Sequence, residues 1–503
     1  MSENIPYIIA ENGYYYVAYK EKAPVPEIVV SSKGVANGLS EEYNDGWDFG
    51  PDSYDPTSTA NPPYTQTSGF KEALNYIKTF VQDEIFNVSS DATSMFLNTA
   101  PKIKLTSGLF LLNSSVAVEQ AYSNAYYATQ IEGSGPTTIL KDNTSTGIDI
   151  LDLVGNGVDV SLYGNGYTAR SVVSDLTVVS NDAGNSLYGI RVNRQSQILR
   201  TIVTGQFQNA HVEIGYSCSL QDSYIDGFNT NGITINGVTN YGAIIKSSGN
   251  ALNYIKNVHD DNYYTPTSGS SGPTFGHNNF YASIIINTSP WLNLQSTVFG
   301  VIYQPSGTAS NGYIMNINIE SCYTNNNGGM PGVINWLSGN ALNVKVTNSY
   351  LSNYVTGAGL VYIGGTTTNI SLYLRNNQSN SALNLVISSL TSTVTTNLSV
   401  TTKGYNDNIN GITYKATGTT AGNVISYQSA FEIDYKKVTI SVNGYENDTT
   451  NNQTIYYPLP FSTVYAIAVN TTGLTITASA SQITITAPDS TTTYSGIVII
   501  EGY

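Results

Sequence analysis

The sequence predicts an all-β fold dominated by a parallel β-solenoid, and three observations predict it. The first is a strand that repeats, because residues 198–205 lie over residues 220–227 at an offset of 22, and residues 173–179 precede them at an offset of 25. The second is a companion strand that keeps step. Residues 189–192, 211–214 and 232–235 recur at 22 and then 21. The third is composition, since 45 Gly and abundant Asn, Ser and Thr separate short alternating segments. Two strands in a period of about 20 to 25 residues describe coils that bury their inward side chains only by stacking on their neighbours. Function then falls to the outer surface, the interruptions and the ends.

Composition narrows the class of partner. Charged residues are 11% of the chain, against about 25% in ordinary soluble proteins, so hydroxyls and amides carry the solubility. A net charge of -15 and the absence of any basic run argue against nucleic acid, which needs Lys and Arg set against phosphates. The same sparse charge suits an acidic extracellular setting. Cys218 and Cys322 lie in different repeats and read as small buried residues; neither a disulfide nor a metal site is expected from them. The start, Met1-Ser2-Glu3-Asn4, has no basic region, no apolar signal core follows it, and no window approaches the roughly 18 apolar residues of a membrane span. An extracellular surface without an export signal is what a virion component carries.

Residues 1–65 differ in kind from the rest. Pro24, Pro26, Pro51, Pro56, Pro62 and Pro63 punctuate them, and residues 41–50 mix acidic and aromatic side chains. They are expected to be an arm that docks on other virion proteins or on sister subunits. A helix over 68–84 follows, with Ser68 as N-cap and Phe70, Ala73, Leu74, Ile77 and Val81 forming one apolar stripe. Laid across the first coil, it would remove the solenoid's open end from water and block end-to-end strand addition.

After the helix comes a strand ending in Ser107-Gly108-Leu109-Phe110, then Glu132-Gly133-Ser134-Gly135-Pro136-Thr137-Thr138-Ile139-Leu140. This succession resembles the opening coils of the pectate-lyase-like right-handed parallel β-helix superfamily, which includes polygalacturonases, pectate lyases and many viral tailspikes. The resemblance implies a right-handed parallel β-helix, drawn here over 66–410, and its motifs speak for fold, not for activity. The repeats continue in residues 317–323, 344–350 and 372–378 at offsets of 27 and 28, a register that puts Asn348 over Asn376. Stacked amides of this kind can hydrogen-bond along the axis. Residues 254–279 interrupt the period with a long polar insertion, which maps to a loop on one face. From about 400 the period is lost. Residues 400–430 read as a linker or last coils, and strands near 437–442, 454–457, 464–469, 474–477, 482–485 and 496–500 predict a small antiparallel β-sandwich in 411–503. Its closing pattern resembles the C-terminal tips of viral tail fibres.

Candidate chemistry is sparse. Polygalacturonases carry Asn-x-Asp, Asp-Asp, Gly-His-Gly and Arg-x-Lys in that order, and their carboxylates hydrolyse glycosidic bonds. Asp260-Asp261 and Gly276-His277-Asn278 match two of these elements, but no Arg-x-Lys follows, and Asp260 and Asp261 are expected in a loop. Asp222 and Asp226, four residues apart, would share a strand face, with Glu213 one strand earlier. Arg200 aligns with Asp222 one coil on, which predicts a structural ion pair rather than the base of a lyase. Aromatic side chains are the stronger signal, because Tyr and Trp present flat apolar faces with a polar edge. Tyr254, Tyr263, Tyr264 and Trp291 cluster around the insertion and are the expected glycan contacts.

The reading that follows is a virion-surface attachment protein, a homotrimeric tailspike or fibre that meets a host cell-surface polysaccharide or glycoprotein. A polysaccharide hydrolase or lyase on the same scaffold is the alternative, and a cellular adhesin the next. No cofactor is implied.

Overall fold

The computed structural model describes residues 7–9, 15–17, 27–33, 48–53, 55, 59, 63–85, 95–97, 102–119, 125–155, 168–235, 237–249, 251–261, 283–305, 314–326, 330–337, 341–353, 359–364, 369–379 and 384–388, and beyond them the C-terminal strands named below. The solenoid is a parallel β-helix with three ladders of strands. The first ladder is a 12-stranded parallel sheet from Glu27–Val30 through Lys102–Leu105 and Trp291–Gln295 to Asn397–Lys403. The second runs from Gly108–Leu112 to Gln378–Ser379, and the third from Val116–Ala117 to Ile412–Ala416.

Alternation explains the stacking. In the first ladder Ile28, Ile103, Ile131, Val173, Ile198 and Leu220 fall in one register column and are buried. Phe110, Leu140, Val178, Val203 and Ile225 do the same in the second, and Leu151, Ile190, Val212, Ile245 and Ile285 in the third. Each such side chain contributes about 2 kcal/mol when fully buried, and no coil can bury its own without a neighbour.

The offsets of 25 and 22 in the first ladder appear as the pairs Val173↔Ile198 and Ile198↔Leu220, and the offsets of 27 and 28 as Ile317↔Val344 and Val344↔Leu372. In the third ladder the first step of 22 holds, Ile190↔Val212, but the next does not. Val212 pairs with Ile245, and residues 232–235 leave the coil as part of an antiparallel hairpin with Val238–Gly242. The hairpin lays Ile233 and Ile235 over Ala210, Ile244 and Ile284, making a small second core on the outside of the third ladder. Long strands such as Ile202–Ile214 serve the second ladder and then bend into the third. Gly205 and Gly227 make the bend, with φ of 115° and 124°. A Cβ on Gly227 would stand 1.9 Å from the Gly205 carbonyl oxygen, so only glycine fits there.

The helix spans Phe70–Ile85 and closes the end of the coil, its Phe70, Ala73, Leu74 and Ile77 joining the same core as Ile28, Phe110 and Val116. Its cap is Thr67 rather than Ser68: the Thr67 hydroxyl accepts the Lys71 N–H at 3.0 Å and donates to Glu72 at 3.2 Å. Ser68 has a left-handed φ of 54°, and its hydroxyl donates to the Leu111 carbonyl at 3.0 Å, tying the helix start to the second ladder. Glu27–Val30, inside the stretch expected to be an arm, is the terminal rung of the first ladder. Apolar Ile28 and Val30 alternate with Glu27 and Val29, so the segment fits a half-buried strand. Its outer edge is covered by Asp48 and Phe49, whose N–H groups both donate to the Val29 carbonyl.

Asn397–Lys403 and Ile412–Ala416 are rungs of the last coils. Beyond them the strands turn antiparallel. Asn423–Glu432, Tyr435–Tyr445, Tyr494–Gly502 and Val464–Asn470 continue from the third ladder, and Gln453–Tyr456, Gln482–Thr486 and Thr475–Ala478 make a separate sheet.

At the corner between the first and second ladders, an inward polar residue bonds the next coil. Ser349 N–H donates to Asn377 Oδ1 at 3.0 Å, and Asn377 Nδ2 donates to the Val346 carbonyl at 2.9 Å. Asn377→Ala leaves both buried groups unpaired and is expected to destabilise the protein by about 2 kcal/mol, read as a lower urea midpoint; an unchanged midpoint would refute this role.

Candidate functional site

The first ladder's outer face carries the most exposed large side chains of the middle coils. Leu252, Trp291, Asn316 and Asn343 occupy one column on four successive rungs. Trp291 is 49% and Leu252 46% exposed, which is unusual for side chains of that size on a regular sheet. Asn343 Nδ2 donates to Asn316 Oδ1 at 3.0 Å, fixing both amides in the plane of the face. Tyr254 stands beside them, half-buried and in register with Asn293, its hydroxyl donating to Gln295. A flat apolar ring next to oriented amides is a surface on which a sugar ring can stack and hydrogen-bond. Tyr263, Tyr264 and His277 lie outside the described residues.

The expected carboxylate sites are rearranged. Asp222 is not on a strand with Asp226. It occupies the corner between Ser219–Gln221 and the strand starting at Tyr224, with φ of 51°, and accepts Asn257 Nδ2 at 2.8 Å. Arg200 pairs backwards along the axis with Asp175, through two bonds of 2.6 Å, and not forwards with Asp222. That pair lowers the Asp175 carboxyl below its ordinary value. Glu213 belongs to the third ladder and so does not join Asp226. Asp260 and Asp261, expected in a loop, lie on the coil strand His259–Asp261 of the second ladder. Asp261 is in register with Asp226, and Asp260 with the buried Ile225. The coil continues through Asp261 because Val258 fills an inward position at the corner, which sets the strand going before the insertion begins. Both cysteines are buried and free, and burial pushes the thiols up to about 12 for Cys218 and about 11 for Cys322.

A buried charge network on the third ladder was not anticipated. Asp152, Arg191, Glu213 and Lys246 follow one another in a single column that alternates in sign. Arg191 donates to Glu213 at 2.9 Å and Asp152 at 3.1 Å and stands 3.6 Å from Asp149. The Tyr188 ring lies under both the Arg191 guanidinium (4.8 Å) and the Lys246 ammonium (4.9 Å), and Lys246 donates to its hydroxyl at 3.0 Å. Burial raises the Glu213 carboxyl, with Arg191 and Lys246 pulling it back. Burial and the neighbouring Asp152 raise Asp149 from an ordinary 3.8 to about 6, and its buried Oδ1 has no hydrogen-bond partner. The signal was in the sequence, since the offset of 22 between residues 189–192 and 211–214 places Arg191 on Glu213. His211, by contrast, is structural: its Nδ1 accepts the Ile244 N–H, its Nε2 faces the Gly205 carbonyl, and burial lowers it to about 3.

No family model matches the chain, and no curated protein does. Among solved structures the chain is similar to a tailspike protein from Acinetobacter baumannii bacteriophage Fri1, a capsular polysaccharide depolymerase. The match covers 87% of this chain and 82% of that one at 10% identity, with a TM-score of 0.29. It assigns no residue a role.

A carboxyl raised in the folded state favours folding in its protonated form, so Asp149 stabilises below about pH 4 and that contribution is lost as pH rises through about 6. Asp149→Asn is therefore expected to be more stable than the parent at pH 8, by up to about 3 kcal/mol, and equally stable at pH 3.5 or so. Denaturant midpoints across pH check the crossover.

Proposed function

We propose that this chain is an attachment protein of a virion surface whose β-helix engages host cell-surface glycans through the outer face of the first ladder. The observation that carries the reading is the half-exposed Trp291 and Leu252 beside the bonded amides of Asn316 and Asn343. The weakly charged, hydroxyl-rich composition and the missing basic runs support a carbohydrate partner over nucleic acid. In this reading the part of residues 1–65 outside the Glu27–Val30 rung joins other virion proteins, and the C-terminal antiparallel sheets form the distal tip.

Three copies associate in this proposal through the second ladder. Its outward column runs Leu109, Ile139, Thr177, Ile202, Tyr224, His259, Val298, Tyr323, Tyr350, Gln378. Leu109 is 47% exposed, and Tyr323 stacks on Tyr350 with centroids 5.4 Å apart. A mostly apolar stripe along the axis is matched in length and repeat by the same stripe on a sister chain. Light scattering of the full-length protein should give three times the chain mass; a monomer mass would remove this part of the proposal.

A polysaccharide hydrolase or lyase is the second reading, favoured by Asp226 and Asp261 in register on adjacent coils. Release of reducing ends or unsaturated sugars, lost in an Asp226→Asn, Asp261→Asn double variant, would promote it. For the first reading, Trp291→Ala should weaken binding to a retained polysaccharide on a glycan array about 10-fold or more, with the melting curve unchanged. Equal binding by the variant would refute the site.

A further inference from the structure

Charge is distributed unevenly along the first ladder. In its early coils the cations are neutralised by carboxylates: Lys102 pairs with Glu132, Lys104 with Glu27 at 3.7 Å, and the corner residue Arg200 with Asp175 at 2.6 Å. From the rung Leu252–Lys256 onward the arrangement changes. Lys256, Lys345 and Arg375 are all exposed on the outer face, and none has an ion-pair partner among the described residues. Glu320 is the carboxylate of this stretch of the face, in register between Gln295 and Thr347. Lys256, Gln295, Glu320, Thr347 and Arg375 share one column, and Arg375 is in register with Lys403. Lys345 lies in the adjacent column with Tyr254, Asn293, Asn318 and Tyr373.

Lys345 therefore stands in the column next to Leu252, Trp291, Asn316 and Asn343, and Lys256 and Arg375 stand one column further out on the same face. In a chain of net charge -15 with 20 basic residues, three of them without an ion-pair partner among the described residues on one regular face raise the local positive potential there. Exposed unpaired cations cost little in water, so stability does not explain their placement. A ligand that supplies carboxylates does.

We propose that the first-ladder face recognises an acidic polysaccharide, one bearing uronate or similar carboxylates, laid along the helix axis. Trp291 and Leu252 stack on a sugar ring, the Asn316 and Asn343 amides take its hydroxyls, and Lys256, Lys345 and Arg375 meet carboxylates at different points along the polymer. Strand spacing of about 4.8 Å per coil sets Lys345 three coils from Lys256 and Arg375 one coil further, a spread along the axis that suits a polymer carrying several charges rather than a single acidic sugar. This rests on the glycan-binding reading of the same face.

The test uses full-length protein and polysaccharide pairs in native and carboxyl-reduced form: polygalacturonate, alginate and hyaluronan. Retention of at least one native member, weakened about 10-fold or more by carboxyl reduction and by raising salt from about 0.05 to about 0.5 M, is expected. The same loss should follow from a Lys256→Gln, Lys345→Gln, Arg375→Gln triple variant, whose circular dichroism and melting curve match the parent. Equal retention of native and reduced forms, lost in Trp291→Ala, overturns charge recognition and leaves the glycan reading standing. Retention that the triple variant keeps in full also overturns it. Binding to no member, charged or neutral, counts against both.

Discussion

The constraint on which the structure depends is a left-handed residue at the corner between the first and second ladders, repeated in eight consecutive coils. Asp175, Arg200, Asp222, Asn257, Ser296, Ser321, Asn348 and Asn376 all have φ between 48° and 58°. This conformation costs an L-residue roughly 1 to 2 kcal/mol, least for Asn and Asp. The corner is held because the following residue, Leu176, Thr201, Ser223, Val258, Thr297, Cys322, Ser349 or Asn377, is buried, and each of these except Leu176 takes part in a side-chain bond between coils. Cys322 N–H donates to the Ser349 hydroxyl, and Ser349 N–H to Asn377, so the corner column is threaded by polar contacts as the ladders are by apolar ones. Change the corner and the phase between two ladders is lost, since a one-residue slip turns every inward side chain outward.

This geometry decides what the acidic corner residues do. Asp222 looks like a catalytic candidate when strand spacing alone is counted, but a left-handed corner breaks the strand before Asp226. Its carboxylate is then placed along the axis, where Asn257 donates to it, as Asn376 donates to Asn348. Arg200 and Asp175 form the charged version of the same stacked contact. Residues that stand out by chemistry in the sequence are here the residues a tight corner tolerates.

Much of the fold was legible because a solenoid writes its contacts as offsets. Inward columns at 22, 25, 27 and 28 residues, the amphipathic helix and Asn348 over Asn376 could all be read directly. What failed was local. Residues 232–235 match the third-ladder pattern in Gly and Ile, yet Asn236-Gly237 follows them at once, and that pair is the strongest short-range hairpin signal. The turn chemistry of that pair outweighs the periodic match. Glu27–Val30 was hidden by the prolines around it, because a strand of four residues leaves too short an alternation to separate from an extended arm. The Arg191 and Glu213 network was readable from the offset of 22, but its burial was not, since a hairpin supplies the cover.

That hairpin links the fold to the distribution of function over its faces. By laying Ile233 and Ile235 on the third ladder it dries the surroundings of Tyr188, so Asp149 and Glu213 stand in a low-dielectric site where their charges are unfavourable without Arg191 and Lys246. There the third ladder's outer face is covered by the chain itself, around Ala210, Ile244 and Ile284. The second carries the apolar stripe proposed to meet sister copies. On the first ladder, among the described residues, the exposed tryptophan, the bonded amides and the cations without an ion-pair partner are found on one face.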